Sequence, residues 1–207
     1  MSGWALSVFK NRSQETMLTL FKTMVRPQVE YCCPLWSPVD KSDIALIEEV
    51  QRQFTRRIDG CSGLTYWERL SHLKLLSLQR RRERYMVILV WKTLKGIVPN
   101  STGLDPKNLR RLGTGLNRPT FNYEAQTAKS TLYENSFGVR AARLWASVPR
   151  WVRDSTTLLE LKRSLGAFLA LIPDLPPVRG YSTEHANSLV DWRGVPSVYT
   201  EARVLGV

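Results

Sequence analysis

The residues of this chain best suited to chemistry are its arginines, and the chemistry they suit is the holding of phosphate. Of 30 basic residues, 21 are arginine, set against 18 acids, for a net charge of +12. A planar guanidinium matches the oxygens of a phosphate, so this bias points to a polyanion more than a lysine surplus would. The stretch from Asp174 onward holds three arginines and four acids, which leaves the preceding residues at +13. Two clusters stand out. Arg52, Arg56 and Arg57 lie near the end of one amphipathic segment, and Arg80, Arg81, Arg82 and Arg84 crowd the start of another. At 100° per residue, Arg80, Arg84, Trp91 and Lys95 share one strip with Arg81 beside it, while Arg82 points toward Leu78, Tyr85 and Leu89 in a structural role. A basic strip bearing an aromatic suits a nucleic-acid strand, where arginines hold phosphates and a ring stacks on a base. The candidate binding residues are therefore Arg56, Arg57, Arg80, Arg81, Arg84, Trp91 and Lys95. Plainly solvated basic faces, or docking to an acidic protein, remain the alternatives.

Catalytic inventory is thin. Two-metal phosphoryl chemistry needs paired carboxylates around ions ~3.5–4 Å apart. No two aspartates are adjacent, and Glu48 and Glu49 are expected on the solvated side of a helix, with Glu48 paired to Arg52. There is no Gly-x-x-x-x-Gly-Lys phosphate loop, His-Glu-x-x-His pair or Gly-x-Ser-x-Gly elbow. His72 stands alone in a leucine-rich segment, and Cys61 has no neighbour placed to activate it. Cys32, Cys33 and Cys61 are too few for a zinc site and read as free thiols. No catalytic residue, metal or cofactor is expected.

The elements that must carry these residues read as all-α. Ser13 opens a helix whose apolar side includes Met17, Phe21, Met24 and Val25. Residues 26–38, punctuated by Pro27, Pro34 and Pro38, form either a kinked second helix or an irregular connection, with Tyr31, Leu35 and Trp36 to bury. Residues 40–59 make the clearest helix, striped by Ile44, Ile47, Val50, Phe54 and Ile58 and closed by Gly60. Thr65 and Glu68 form a capping box before a short helix, and Ser77 caps a longer one reaching Lys95. Four arginines at that helix's start oppose its dipole. Residues 99–129 are broken by glycine and proline and read as a loop, with a short strand at 120–123. Residues 136–147 form another helix, and Thr157 with Glu160 caps a last one striped by Leu158, Leu161, Leu165, Phe168, Leu169 and Ile172. The expected architecture is an irregular helical bundle: a thumb-like domain over 1–98, a linker over 99–130, a helical module over 131–173 and an extended, partly disordered tail over 174–207.

The order of motifs resembles a known family. TLFKTMVRPQVEYCCPLWSP at 19–38 is similar to the segment just after the palm in reverse transcriptases of LINE-type, jockey-like non-LTR retrotransposons. The likeness continues through VQRQFTRRI at 50–58, YWERLSHLKL at 66–75, SLQRRRERY at 77–85 and WKTLKG at 91–96. Asn135 to Phe137, Arg143 to Trp145, Val148-Pro149 and the Leu-x-x-Leu-Lys run at 158–162 resemble that family's closing module. The resemblance covers about residues 4–181 and implies thumb helices that grip a template–primer backbone, followed by a module that helps hold RNA. Fingers and palm, with the family's metal-binding Tyr/Phe-x-Asp-Asp turn, have no counterpart here, so the chain is expected to be a truncated, non-catalytic copy. RNA or an RNA–DNA hybrid is the expected partner, with self-association or another partner at the face a palm would cover, for which the first helix's methionine-rich side is the candidate. The longest uncharged apolar run, 86–91, is far short of the ~20 residues of a membrane span. With no secretory signal in view, an intracellular location, nuclear or cytoplasmic, is expected. The alternative is a helical protein-interaction module, or an inert decay product of the element.

Overall fold

The computed structural model describes residues 10–99, 135–179 and 187–190, and the fold is all-α, with no β-strand among them. The loop at 99–130, its strand at 120–123 and most of the tail fall outside these residues. Among the described residues, no helix is long and apolar enough to cross a membrane. The chain divides into two compact units, and the division differs from the expected domains. One unit takes the chain up to Arg82 together with residues 174–187; the other takes 83–173 and the residues from 188. The boundary falls inside a helix, and the first residues of the supposed tail belong with the N-terminal unit.

In the first unit, α1 (Gln14–Leu20) runs through a π-helical turn (Phe21–Val25) into α2 (Arg26–Glu30). Ser13 stands at the N-cap, but its hydroxyl donates to Thr16 Oγ1 and caps no backbone N–H. Pro27 has no N–H and its ring presses on the carbonyl four residues back, which a wider turn accommodates. The Arg26 N–H accordingly reaches back five residues, to the Phe21 carbonyl. The wider turn also brings Met17, Phe21 and Val25 closer to one line, offsetting the roughly 40° per step by which every fourth residue drifts in an α-helix. All three are buried against Phe54, Ile58, Cys61, Leu73 and Leu78, and the Phe21 and Phe54 rings lie 5.2 Å apart. The first helix's methionine-rich side is therefore core and no longer a candidate for an exposed face.

The exposed apolar residues lie further on. Cys32, with φ of 49°, breaks the chain between α2 and α3 (Cys33–Trp36). Tyr31 and Leu35 are 76% and 79% exposed there, with Trp36 and Val39 also open. The expectation that Tyr31, Leu35 and Trp36 are buried is overturned. The short α3 places them on the outside of a proline-bounded turn.

Helix α4 (Lys41–Thr55) begins at Asp40, and a turn carries the chain on to Gly60, whose φ of 79° suits glycine. The capping box of Thr65 and Glu68 starts α5 (Tyr66–His72). Lys74, with φ of 51°, closes it, as the Leu75 N–H reaches the Leu70 carbonyl and that of Lys74 reaches Ser71. Helix α6 (Leu78–Leu94) begins at Ser77, whose hydroxyl accepts from the Arg80 N–H at 3.0 Å. Gly96 closes α6 with the same pair of backbone bonds, Ile97 to Lys92 and Gly96 to Thr93.

The second unit holds the rest of α6 with α7 (Phe137–Ser147), α8 (Arg150–Arg153) and α9 (Leu158–Ala170). The Thr157–Glu160 capping box is present, and Leu161, Leu165, Phe168, Leu169 and Ile172 are buried. Trp151 meets Phe168 edge to face, with centroids 6.4 Å apart. At ~1.5–3 kcal/mol for each large apolar side chain buried, this stripe is a principal source of the unit's stability.

Candidate nucleic-acid interface

The start of α6 carries the densest arginine cluster, and most of it faces the protein. Arg80 is 1% exposed; one of its guanidinium nitrogens donates to Asn187 Oδ1 at 3.2 Å, and Asp174 stands 3.8 Å from Nε. Arg81 forms a two-pronged ion pair with Glu30. Arg82, expected to be structural, is buried with Nε donating to Ser37 Oγ. In the second unit, Arg84 is half-buried and Trp91 is 3% exposed, its indole N–H given to the Ser155 carbonyl at 3.1 Å. Lys95 is exposed, with its ammonium 5.8 Å from the centre of the Trp91 ring. The expectation of an open strip of Arg80, Arg84, Trp91 and Lys95 is therefore corrected. Arg80 and Trp91 are spent on the protein's own packing, because residues far along the chain cover that face of the helix.

Buried acceptors resolve the dipole conflict at this end of α6. Glu48 is fully buried, not solvated, and its carboxylate accepts from the N–H groups of Leu78 and Gln79 and from the Tyr66 hydroxyl. Asp174 accepts from the backbone N–H and hydroxyl of Ser77, and Asn187 ties Asp174 to Gln79. A helix end so supplied with carboxylates tolerates the arginines around it. Burial pushes the Glu48 carboxyl up to about 7, against the downward pull of the Tyr66 hydroxyl, Arg82 and the Gln79 N–H. The Tyr66 phenol is raised well above its ordinary value, first by burial and then by the charge of Glu48.

The other cluster opens outward. A cleft of about 660 Å³ lies in the first unit, walled by the last turns of α4, the turn after it and the start of α5. Its described lining includes Arg52, Arg56, Arg57 and Arg69, with Glu49 as the acid, and Trp67, Leu64 and Val178 as apolar surface. Arg52 bonds Glu49 at 2.8 Å, correcting the expected pairing with Glu48. Arg69 is buried and donates to the carbonyls of Leu64 and Arg52 and to Thr55 Oγ1, so it fastens the end of α4 to α5. Burial, then the nearby Arg52, lowers its pKa. Arg56 and Arg57 are exposed and have no ion-pair partner among the described residues. Trp67 is half-buried, and its N–H is held by the Pro176 carbonyl at 3.1 Å.

The structure thus brings Arg56 and Arg57 together in one cleft and assigns Arg80 and Trp91 to the interior. Sequence reasoning missed Trp67 and Arg69 as cleft residues, although the capping box at Thr65 already set their place on the first turns of α5. It could not place Val178, which arrives from more than a hundred residues away. No protein-family model, curated protein or solved structure matches this chain.

Proposed function

We propose that this chain binds the backbone of RNA or an RNA–DNA hybrid and performs no chemistry on it, as a non-catalytic relative of the thumb region of a LINE-type retrotransposon RNA-directed DNA polymerase. The observation that carries the reading is the cleft beside α4, where two exposed guanidiniums without ion-pair partners face solvent next to an aromatic wall. Two further points support it: the excess of arginine over lysine, and the ordered series of motifs that resemble that family's thumb and closing module. Arg81, Arg84 and Lys95 are secondary to Arg56 and Arg57 in this reading. Arg81 is already paired with Glu30, and Arg84 is half-buried.

Backbone contacts release counterions, so binding weakens as salt rises, with a slope of about 0.7 per phosphate contact on a single strand and about 0.9 on a duplex. Arg56→Glu with Arg57→Glu changes only exposed positions and leaves the helical circular dichroism intact. Anisotropy titrations over a salt series should show the double variant binding more weakly and with a shallower slope. Equal affinity and slope for variant and parent would show that the cleft does not hold the nucleic acid.

A second reading has its own observation. Tyr31, Leu35, Trp36 and Val39 form an exposed apolar run of the kind that marks a protein-binding surface. If the purified chain ignores RNA at low salt and instead captures a protein through this run, the interaction-module reading wins.

A further inference from the structure

Single-stranded and duplex nucleic acid differ in what they offer this cleft. The cleft encloses about 660 Å³ and opens to solvent beside the end of α4. Its walls differ in chemistry. The Arg56 and Arg57 guanidiniums supply phosphate contacts, while Trp67, Leu64 and Val178 supply apolar surface beside them. Trp67 is held in place at its N–H by the Pro176 carbonyl and packs in a cluster with Tyr66, Leu70 and Val178. The ring is therefore preorganised, and a ligand pays little to order it. In a duplex the base faces are covered by their neighbours, and only an unpaired nucleotide presents phosphate and bare base face together.

We infer that this cleft accepts an unpaired stretch of nucleic acid, with phosphates on Arg56 and Arg57 and a base against Trp67, and that it discriminates against duplex. The inference rests on the proposed nucleic-acid role and narrows it. Discrimination comes from the stacked base, since both forms carry phosphates. Base–aromatic stacking of ~1–3 kcal/mol corresponds to roughly 5-fold to 150-fold in affinity.

The test uses the full chain, a short fluorescein-labelled oligouridylate and an RNA–DNA duplex of the same length, compared by anisotropy at low salt. The expected result is about tenfold tighter binding of the single strand, lost in Arg56→Gln/Arg57→Gln. Trp67→Leu should lower single-strand affinity toward that of the duplex and leave duplex affinity unchanged. Because Trp67 also packs internally, a second measurement uses the unsubstituted chain: an oligonucleotide bearing 4-thiouridine should photocrosslink within residues 62–69. Duplex binding as tight as single strand and lost with Arg56 and Arg57 would overturn the inference while leaving the proposed function standing. A crosslink confined to other parts of the chain would also overturn it. Failure of both ligands to bind would sink the inference and the proposed function together.

Discussion

Glu48 offers the sharpest test of how this fold is held. Its carboxyl is fully buried at the start of α6, and burial raises its pKa from an ordinary 4.5 to about 7. Between those values the folded chain keeps a proton that the unfolded chain releases. The group's contribution to stability is therefore full below about 4.5 and is lost as the pH rises through about 7. A gap of that size is worth on the order of 3 kcal/mol. Glu48→Gln keeps an oxygen for the Gln79 N–H and an N–H group that can turn toward the Tyr66 oxygen; it gives up the longer bond from the Leu78 N–H at every pH, and it never ionises. Urea unfolding followed by circular dichroism from pH 4.5 to 8 should show the parent losing about 3 kcal/mol relative to the variant, most of it between pH 5 and 7. The comparison cancels the titration of every other group. Parent and variant curves that stay parallel over this range would refute the account of Glu48 as a buried cap that resists ionisation.

Arg80→Ala should destabilise the chain by about 3 kcal/mol, because it strips a buried cation from Asp174 and Asn187, and urea unfolding would read the loss. Phe21→Ala should cost about 3–5 kcal/mol in the same assay, since the ring fills the centre of the first unit's core against Phe54. Thr157→Ala removes one half of the capping box on α9 and should cost about 1 kcal/mol, seen as faster amide exchange at Glu160.

What the amino-acid sequence determined by itself was local. The capping boxes of Thr65 with Glu68 and Thr157 with Glu160 join residues three apart, and Ser77 reaches the Arg80 N–H over the same span. Such bonds form within one turn, so residue types at fixed spacing suffice to specify them. The stripes of α4 and α9 were legible for the same reason, and so was the all-α class. The helical period also shows which residues share a face of α6. It cannot show what covers that face. Tertiary structure decided that question, by bringing Glu48 to Leu78 and Gln79 across about thirty residues, and Asp174 and Asn187 to Ser77 and Arg80 across about a hundred. Those partners turned Arg80 from a surface group into a buried one. Arg56 and Arg57, on a turn without such a cover, kept the exposure expected of them. The cleft they line depends on both levels: Arg52, Arg56 and Arg57 come from one local segment and Arg69 from the helix that follows it, while Val178 and the anchor for Trp67 come from a distant one. A contact between remote segments depends on how whole helices pack, and no spacing within a single helix encodes it.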